Sequence, residues 1–394
     1  MKLLKRTFIV GAVTSTLAST LLATTALAAD TVKIGLILPM TGPFASTGRQ
    51  VDAGVRAYVA LHGDTVAGKK VEIVLRDDGG SADQTRRIAQ ELVVNDRVAM
   101  LSGFGLTPLA LSVAPVLSQA KVPAIITSAT TSAIMQKSDY YVRTSMAGSQ
   151  SAGPMATWAA KNGLKKIVTL VSDYGPGIDI EKGFTDQFKK DGGEIIESVR
   201  VPLQNPDFAP FLQRVRDAKP DAVFVFVPSG VGSIFMKQFV ERGLRDAGIK
   251  LIATGDVTDD DLLNGMGAPA VGVITSHFYS ANHESAENKA FTAEVAKANK
   301  GMRANFMAVG GYDAMHLAYA ALEKTGGDTN GTKLLDAMKG MSWLSPRGQM
   351  TIDAKTRDVV QDIYIREVKD VGGQLYNVEF ATYPKVRDPN TPAP

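Results

Sequence analysis

The sequence alternates short apolar runs with longer amphipathic segments, and this alternation limits the folds that the chain can adopt. The first strands are predicted at 34–38, 71–75, 98–101 and 122–126. Helical segments fill the gaps, and Ser81 with Gln84 forms an S-x-x-Q capping box ahead of one of them. Parallel strands joined by crossover helices produce this pattern, so the sequence predicts an α/β fold.

A second series of the same kind begins near Lys165. The run 223–227 is apolar without alternation, as expected of a strand that is covered on both faces. Further strands are predicted at 166–171, 251–253, 271–274, 359–365 and 374–378, with helices at about 285–299, 304–324 and 331–340. A chain of 394 residues with two such series is expected to form two domains.

The N-terminus has the features of a bacterial export signal. Lys2, Lys5 and Arg6 precede an apolar stretch from Phe8 to about Leu22, and a small-residue cleavage site ends near Ala28. A membrane anchor is the alternative, but Ser, Thr and Gly interrupt the stretch, which falls short of the ~20 residues that a membrane span needs. We therefore expect residues 1–28 to be a cleaved signal peptide.

Composition restricts the compartment and the partners. The chain has 0 Cys, which excludes disulfides, thiol catalysis and a lipoprotein anchor and favours free diffusion in a periplasm. The signal segment carries three of the 43 basic residues and none of the 40 acidic ones, so the mature chain is neutral and neither nucleic acid nor an anionic membrane is an expected partner. The polar, Pro-rich end at 386–394 is expected to be disordered.

Five segments, taken in order, resemble the type I periplasmic solute-binding proteins of ABC importers, especially the branched-chain amino-acid-type binders. These segments are 34–48 (IGLILPMTGPFASTG), 76–78 (RDD), 122–130, 172–175 (SDYG) and 310–313 (GGYD). The resemblance implies two Rossmann-like, doubly wound lobes joined by a three-segment hinge that closes around a ligand like a Venus flytrap. It also implies a lobe one of 31–147 plus 276–355 and a lobe two of 148–275 plus 356–385.

The resemblance places ligand contacts in two loops of lobe one. In the amino-acid binders, the positions that match Thr107, Ser128 and Thr130 hold the ligand's carboxylate or ammonium, and Ala129 belongs to the same loop. The alternative is that these residues are ordinary helix N-caps. Two aromatic side chains, Phe44 and Phe104, are candidates for the apolar walls of the cleft, although aromatic residues are more often part of a core.

Two further candidates come from lobe two. Tyr174 matches a family tyrosine that closes over the ligand, and the alternative is a surface turn residue. Asp256 lies where amino-acid binders place an acid against the ligand's ammonium, and the alternative is a helix N-cap. Against a phenol, Asp256 would instead accept a hydrogen bond.

Two segments of lobe two favour an aromatic ligand. The small residues of 227–233 would leave room for a ring, and the segments 226–230 (FVPSG) and 255–263 (GDVTDDDLL) resemble those of relatives that bind hydroxybenzoates and hydroxycinnamates. We therefore expect a small aromatic carboxylate as the ligand, with a branched-chain or other aliphatic amino acid as the alternative.

An enzymatic function is not expected. The sequence has no G-x-S-x-G elbow, H-E-x-x-H pair or P-loop, and its four histidines are scattered, with only His277 near the expected cleft. No cofactor or metal is expected. As the resemblance implies, the partners are a membrane permease and its ATPase subunits, with the binding protein as a monomer; a chemoreceptor-linked sensor and a hydrolase remain the alternatives.

Overall fold

A computed structural model describes residues 31–391, so the predicted signal segment 1–28 lies outside the described residues. The strands are β1 (Thr31–Leu38), β2 (Thr65–Val66), β3 (Lys69–Asp77), β4 (Met100–Gly103), β5 (Ala124–Ile126), β6 (Tyr141–Arg143), β7 (Lys166–Ser172), β8 (Glu194–Val201), β9 (Ala222–Phe226), β10 (Lys250–Thr254), β11 (Ile274–His277), β12 (Ser342–Ser345), β13 (Gly348–Ile352), β14 (Val359–Val371) and β15 (Gln374–Val386). The helices are α1 (Ala45–His62), α2 (Ala82–Val94), α3 (Thr107–Ala120), α4 (Gly148–Lys161), α5 (Gly175–Lys190), α6 (Ala209–Ala218), α7 (Gly232–Glu241), α8 (Leu263–Met266), α9 (Ala286–Ala298), α10 (Phe306–Lys324) and α11 (Gly331–Met338).

The first sheet has the strand order β2-β3-β1-β4-β5-β6 and is parallel except for β2. Its central strand β1 sends Ile34 and Leu36 into a core shared with α1 and α10, and Ile37 into a core shared with α2 and α3. Both faces of the sheet are therefore covered, which explains why its strands are continuous apolar runs. We call this sheet, together with α1–α3 and α9–α11, half one.

The second sheet has the order β12-β13-β14-β11-β10-β9-β7-β8, with β15 paired to β14. Strands β7 to β11 are parallel, and β12 to β15 are antiparallel. Val223 and Val225 face one core and Phe224 and Phe226 face another, so this sheet is also covered on both sides. We call it, together with α4–α8, half two. The predicted α/β class with two helix-covered sheets is confirmed.

Residues 342–352, which the resemblance assigns to lobe one, form β12 and β13. Strand β13 pairs with β14 and β12 pairs with β13, so both extend the second sheet, while Trp343 and Met350 pack into the core of half one. The capping box is wrong: Ser81 makes no side-chain cap, and Gln84 Nε2 donates to the carbonyl of Asp77 instead. The side chain that the capping box would use is therefore bound by the carbonyl of the last residue of β3.

The C-terminal segment is packed through residue 391, where disorder was expected. Asp388 is buried and accepts a 2.6 Å hydrogen bond from Ser149 Oγ, and Arg387 forms an ion pair with Asp353. Asp388 also accepts from the backbone N–H of Asn390 and the hydroxyl of Thr391. A single buried acceptor thus orders a segment whose composition is that of a flexible tail.

Three buried arginines lie where the chain passes between the halves. Arg143 pairs with Asp358 at 3.2 Å and also donates to the carbonyls of Thr131 and Met146. The other two are similarly engaged, because Arg347 contacts Asp313 and the carbonyls of Thr144 and Ser145, and Arg366 contacts the Thr275 hydroxyl, the Tyr279 carbonyl and Asp260.

Helices α1 and α10 touch through glycines, which explains the GGYD segment in physical terms. A Cβ on Gly54 would lie 1.8 Å from the carbonyl oxygen of Ala308, and one on Gly311 would lie 2.4 Å from that of Val51. Only glycine permits such an approach of two helix backbones. The contact fixes α10, whose first residues reach the cleft between the halves.

Candidate functional site

The main candidate site is a cleft between the carboxyl ends of the parallel strands of the two sheets. In half one, its walls follow β4 and β5; in half two, they follow β7, β9 and β10. Open α/β sheets bind ligands at this edge, because loops there lead into helix N-termini. The cleft contains about 460 Å³ not filled by protein atoms, including space open to solvent. It is lined by Phe44, Thr47, Gly105, Leu106, Thr107, Ser128, Ala129, Thr130, Tyr174, Pro176, Phe226, Pro228, Ser229, Asp256, Phe306 and Met307.

The structure brings together seven of the eight residues singled out from the sequence. They are Phe44, Thr107, Ser128, Ala129, Thr130, Tyr174 and Asp256. Phe104 does not line the cleft: its side chain is fully buried in the core beneath α3. Its backbone φ of 68° lies in the left-handed region just after β4, and the residue packs with Ile37 and Ala110 rather than against the cleft. The expectation of a ligand contact at Phe104 is therefore corrected.

Sequence reasoning missed two aromatic walls, Phe226 and Phe306. Phe226 is the last residue of β9, and Phe306 is the first residue of α10, directly after the helix cap Asn305. Their positions, at the end of a strand and at the start of a helix that border the cleft, are the sequence signal that could have identified them. Two other aromatic residues near the passage between the halves, Phe278 and Tyr279, lie in the core of half one.

Half one presents hydroxyl groups to the cleft. Ser128 Oγ is buried and has no hydrogen-bond partner among the described residues, whereas Thr107 Oγ1 lies 2.8 Å from Thr131 Oγ1. Helix α3 begins at Thr107, and the first N–H groups of a helix carry a partial positive charge. The lining given above includes no Lys or Arg, so an anion would be held on this side by neutral donors.

Half two presents a phenol and a carboxylate. The ring of Tyr174 stacks on Phe226 with their centroids 6.1 Å apart, and burial raises the pKa of Tyr174, which keeps its hydroxyl protonated. Asp256 is 7% exposed, its Oδ2 has no hydrogen-bond partner within residues 31–391, and burial raises its pKa to about 6. The two halves therefore contribute different chemistry: hydroxyl donors from one and a carboxylate acceptor from the other.

Comparison with known proteins identifies the architecture. The model of a periplasmic binding protein family matches residues 31–374, which is most of the chain. The chain belongs to this periplasmic binding protein family. The resemblance inferred from the five sequence segments is thereby confirmed.

Relatives of this periplasmic binding protein extend over its whole described length. A Leu/Ile/Val-binding protein homolog of Brucella melitensis is 44% identical over 376 residues, or 94% of this chain and 96% of the relative. An ABC-transporter solute-binding protein of Rhodopseudomonas palustris, solved with 3,4-dihydroxybenzoic acid, is 58% identical with a TM-score of 0.89, covering 91% of this chain and 99% of that one. Another from the same species, solved with 4-hydroxybenzoate, is 41% identical with a TM-score of 0.88, covering 91% and 98%.

Several contacts join the halves of this periplasmic binding protein around the cleft. Asn305 of half one donates from Nδ2 to both carboxylate oxygens of Asp259 at 3.0 Å, and the backbone N–H of Ser132 donates to Asp179 of half two at 2.9 Å. At the start of α5, a Cβ on Gly175 would lie only 2.9 Å from the hydroxyl of Thr131. The structure thus shows the two halves in direct contact beside the cleft, and we call the Asn305–Asp259 contact the clamp.

Residues 31–391 contain neither a metal-binding cluster nor a membrane-spanning helix. No group of three or more His, Asp or Glu residues is arranged there to hold a metal ion. None of the helices within 31–391 combines the length and the apolar character that crossing a bilayer requires.

The different placement of Phe104 and Phe44 can be tested by truncation. Phe104→Ala should lower the free energy of unfolding by about 3–5 kcal/mol, because it removes a fully buried ring from the core. Phe44→Ala, at a partly exposed cleft position, should lower it by less than about 1 kcal/mol. Urea denaturation followed by circular dichroism measures both, and equal losses would show that Phe104 is not a core residue.

Proposed function

We propose that this protein is the solute-binding component of an ABC importer and that it closes around a hydroxylated aromatic carboxylate of the hydroxybenzoate type. The observation that carries the proposal is the chemistry of the cleft. Four aromatic side chains, Phe44, Tyr174, Phe226 and Phe306, line it. Residues that carry an unpartnered buried oxygen line it from both halves, Ser128 (Oγ) from half one and Asp256 (Oδ2) from half two. A flat ring with a polar group at each end fits this arrangement.

In the proposed complex, the ligand carboxylate lies against half one. The hydroxyls of Ser128 and Thr130 donate to it, together with N–H groups at the start of α3, while Thr107 supports the loop through Thr131. The ring stacks among the aromatic walls. The ring hydroxyl then donates to the carboxylate of Asp256 on half two, a charge-assisted hydrogen bond.

The comparisons support this ligand class and also supply the second candidate. The Rhodopseudomonas palustris relatives were solved with dihydroxybenzoic acid and hydroxybenzoate, at 58% and 41% identity. The Brucella relative carries the name of a Leu/Ile/Val-binding protein, and Asp256 could pair with an amino acid's ammonium group. The aromatic walls favour the first candidate, because an aliphatic side chain would gain nothing from stacking.

The remaining parts of the proposal concern delivery. Residues 1–28 would direct export to the periplasm, where the monomeric mature protein acts as two lobes, 31–147 plus 276–355 and 148–275 plus 356–385, joined by a hinge. The closed form would dock on a membrane permease whose ATPase subunits drive release. Binding without turnover is expected, in agreement with a family of binding proteins.

A ligand panel tests the proposed function directly. Mature protein, refolded to remove any carried ligand, is titrated by calorimetry with 4-hydroxybenzoate, 3,4-dihydroxybenzoate, benzoate and leucine. The hydroxylated acids should bind, and at about a hundred times the dissociation constant they should add about 2.7 kcal/mol to the free energy of unfolding. Binding of leucine alone would overturn the proposed ligand class and favour the amino-acid candidate.

The same titration tests the anion side of the site. Ser128→Ala should weaken 4-hydroxybenzoate binding about ten-fold, because a hydrogen bond to a charged group is lost. Ser112→Ala is the matched control, since that hydroxyl bonds to the Leu109 carbonyl within α3 and lies outside the cleft lining. An unchanged affinity of the Ser128 variant would contradict the placement of the carboxylate.

The raised pKa of Asp256 predicts a pH dependence. Burial stabilises the protonated acid, so below about pH 6 the ligand-free site holds a proton that the hydroxybenzoate must displace. Affinity for 4-hydroxybenzoate should therefore fall about four-fold as the pH drops from 7.5 to 5.5. The Asp256→Asn variant should show no such fall, and a parallel fall in both proteins would assign the titration to another group.

If the clamp holds the two halves together, removing it should make the ligand dissociate faster. Asn305→Ser keeps a good helix cap for α10 but removes the amide that donates to Asp259, so stopped-flow dissociation of 4-hydroxybenzoate should quicken about ten-fold. Asn330→Ser changes a cap of the same kind at α11, with its bond to the Lys333 N–H, and should leave dissociation unchanged. Equal rates in the two variants would show that the clamp does not hold the closed form.

A further inference from the structure

His277 lies directly behind the cleft wall. It ends β11, is fully buried, and its ring centroid lies 4.5 Å from those of Phe278 and of Phe306, a residue that lines the cleft. Its Nε2 is 3.8 Å from Oδ2 of Asp256. The imidazole does not line the cleft itself, so any effect on a ligand would pass through Asp256.

Neither member of this pair has another hydrogen-bond partner at these atoms. Asp256 Oδ2 and both ring nitrogens of His277 are buried and unpartnered within the described chain. Buried polar groups in folded proteins are nearly always hydrogen-bonded. A distance of 3.8 Å is too long for a hydrogen bond, yet a small side-chain rotation would bring it into range.

The surroundings hold His277 neutral. Burial, together with the nearby guanidinium groups of Arg366 and Arg347, lowers the pKa of His277 well below its ordinary value. Both arginines are already engaged: Arg366 with Thr275 and the Tyr279 carbonyl, and Arg347 with Asp313. A neutral imidazole has one N–H donor, so it can donate to Asp256 through Nε2 without adding a charge.

The local sequence permits this approach only because residue 255 is glycine. A Cβ on Gly255 would lie 2.7 Å from both Cβ and Cδ2 of His277, and 2.1 Å from an Arg366 nitrogen. The backbone that carries Asp256 therefore packs directly on the imidazole and the guanidinium. This packing fixes the histidine relative to the carboxylate.

We propose that His277 is a positioning residue whose Nε2–H donates to Oδ2 of Asp256 in the closed complex and aims the carboxylate at the ring hydroxyl of the ligand. The inference rests on the proposed function and deepens it. The pair determines how strongly the protein prefers a hydroxylated aromatic acid over the unsubstituted one. The carboxylate-binding side in half one is not involved.

The test compares two ligands across two variants. His277→Met removes the donor but fills the space, and His277→Gln keeps an N–H in a similar position. The ratio of the benzoate to the 4-hydroxybenzoate dissociation constant should fall about ten-fold in the Met variant, with benzoate affinity unchanged, and should be largely kept in the Gln variant. His316→Met is the matched control, because that half-buried imidazole stacks on Trp343 outside the cleft lining.

The outcomes separate this inference from the function on which it rests. If the native protein binds neither acid, the proposed function fails and this inference with it. If both acids bind and the Met variant loses affinity for them equally, or the ratio is unchanged, His277 is only a packing residue and the inference alone is overturned.

A measurement on the native protein covers the case in which neither variant folds. The chain has four histidines, so a long-range nitrogen–proton spectrum can resolve the tautomer of each. With 4-hydroxybenzoate bound, His277 should carry its proton on Nε2. A proton on Nδ1 would overturn the proposal, since that tautomer cannot donate to Asp256.

Discussion

The burial of three guanidinium groups at the passages between the halves is the constraint on which this architecture depends. A buried charge is tolerated only when it is paired and its remaining donors are satisfied. Two of the three groups, those of Arg143 and Arg347, pair with a carboxylate, and that of Arg366 lies 3.9 Å from one. All three also donate to backbone carbonyls. Each crossing is thereby fixed to side chains from elsewhere in the fold. Closure must then be absorbed by a few backbone torsions at these passages, since the sheets themselves are held rigid on both faces.

The crossings and the cleft differ in how their buried polar groups are paired. At the crossings, every guanidinium nitrogen of Arg347 and Arg366 reaches an acceptor, whereas in the residues that line the cleft Ser128 Oγ and Asp256 Oδ2 have no hydrogen-bond partner within the described chain. Leaving a buried polar group unpaired costs about 1–3 kcal/mol, so folding alone gives no reason to keep both. A ligand that satisfies them recovers that free energy only when the halves are closed. Binding and closure are therefore coupled through the same atoms.

The fold class and the order of strands and helices could be predicted from the periodicity of the sequence. Most of the cleft residues were predicted from the resemblance to the solute-binding proteins, whose ligand contacts lie in loops at strand ends. The errors share one physical cause, which is tertiary competition for a side chain. The backbone of Phe104 turns its ring into a core, the carbonyl of Asp77 takes the amide of Gln84, and Asp388 finds a buried donor in Ser149. None of these partners is adjacent in sequence to the residue that it redirects. Phe306 was missed for the same reason, since only the packing of α10 on α1 brings it to the cleft.

The comparisons join a Leu/Ile/Val-binding name to structures with hydroxybenzoates bound, and the cleft explains how one fold can accommodate both. Every ligand of these kinds carries a carboxylate. In the proposed complex, the hydroxyls and the helix N-terminus of half one bind this carboxylate and make no contact with the rest of the ligand. Discrimination must therefore come from half two. There, the carboxylate of Asp256 could bind an ammonium or a phenol. The stacked rings of Tyr174 and Phe226 beside it would stabilise an aromatic ligand by further stacking. In the proposed complex, the walls around Asp256, rather than the acid itself, would decide which solute this protein selects.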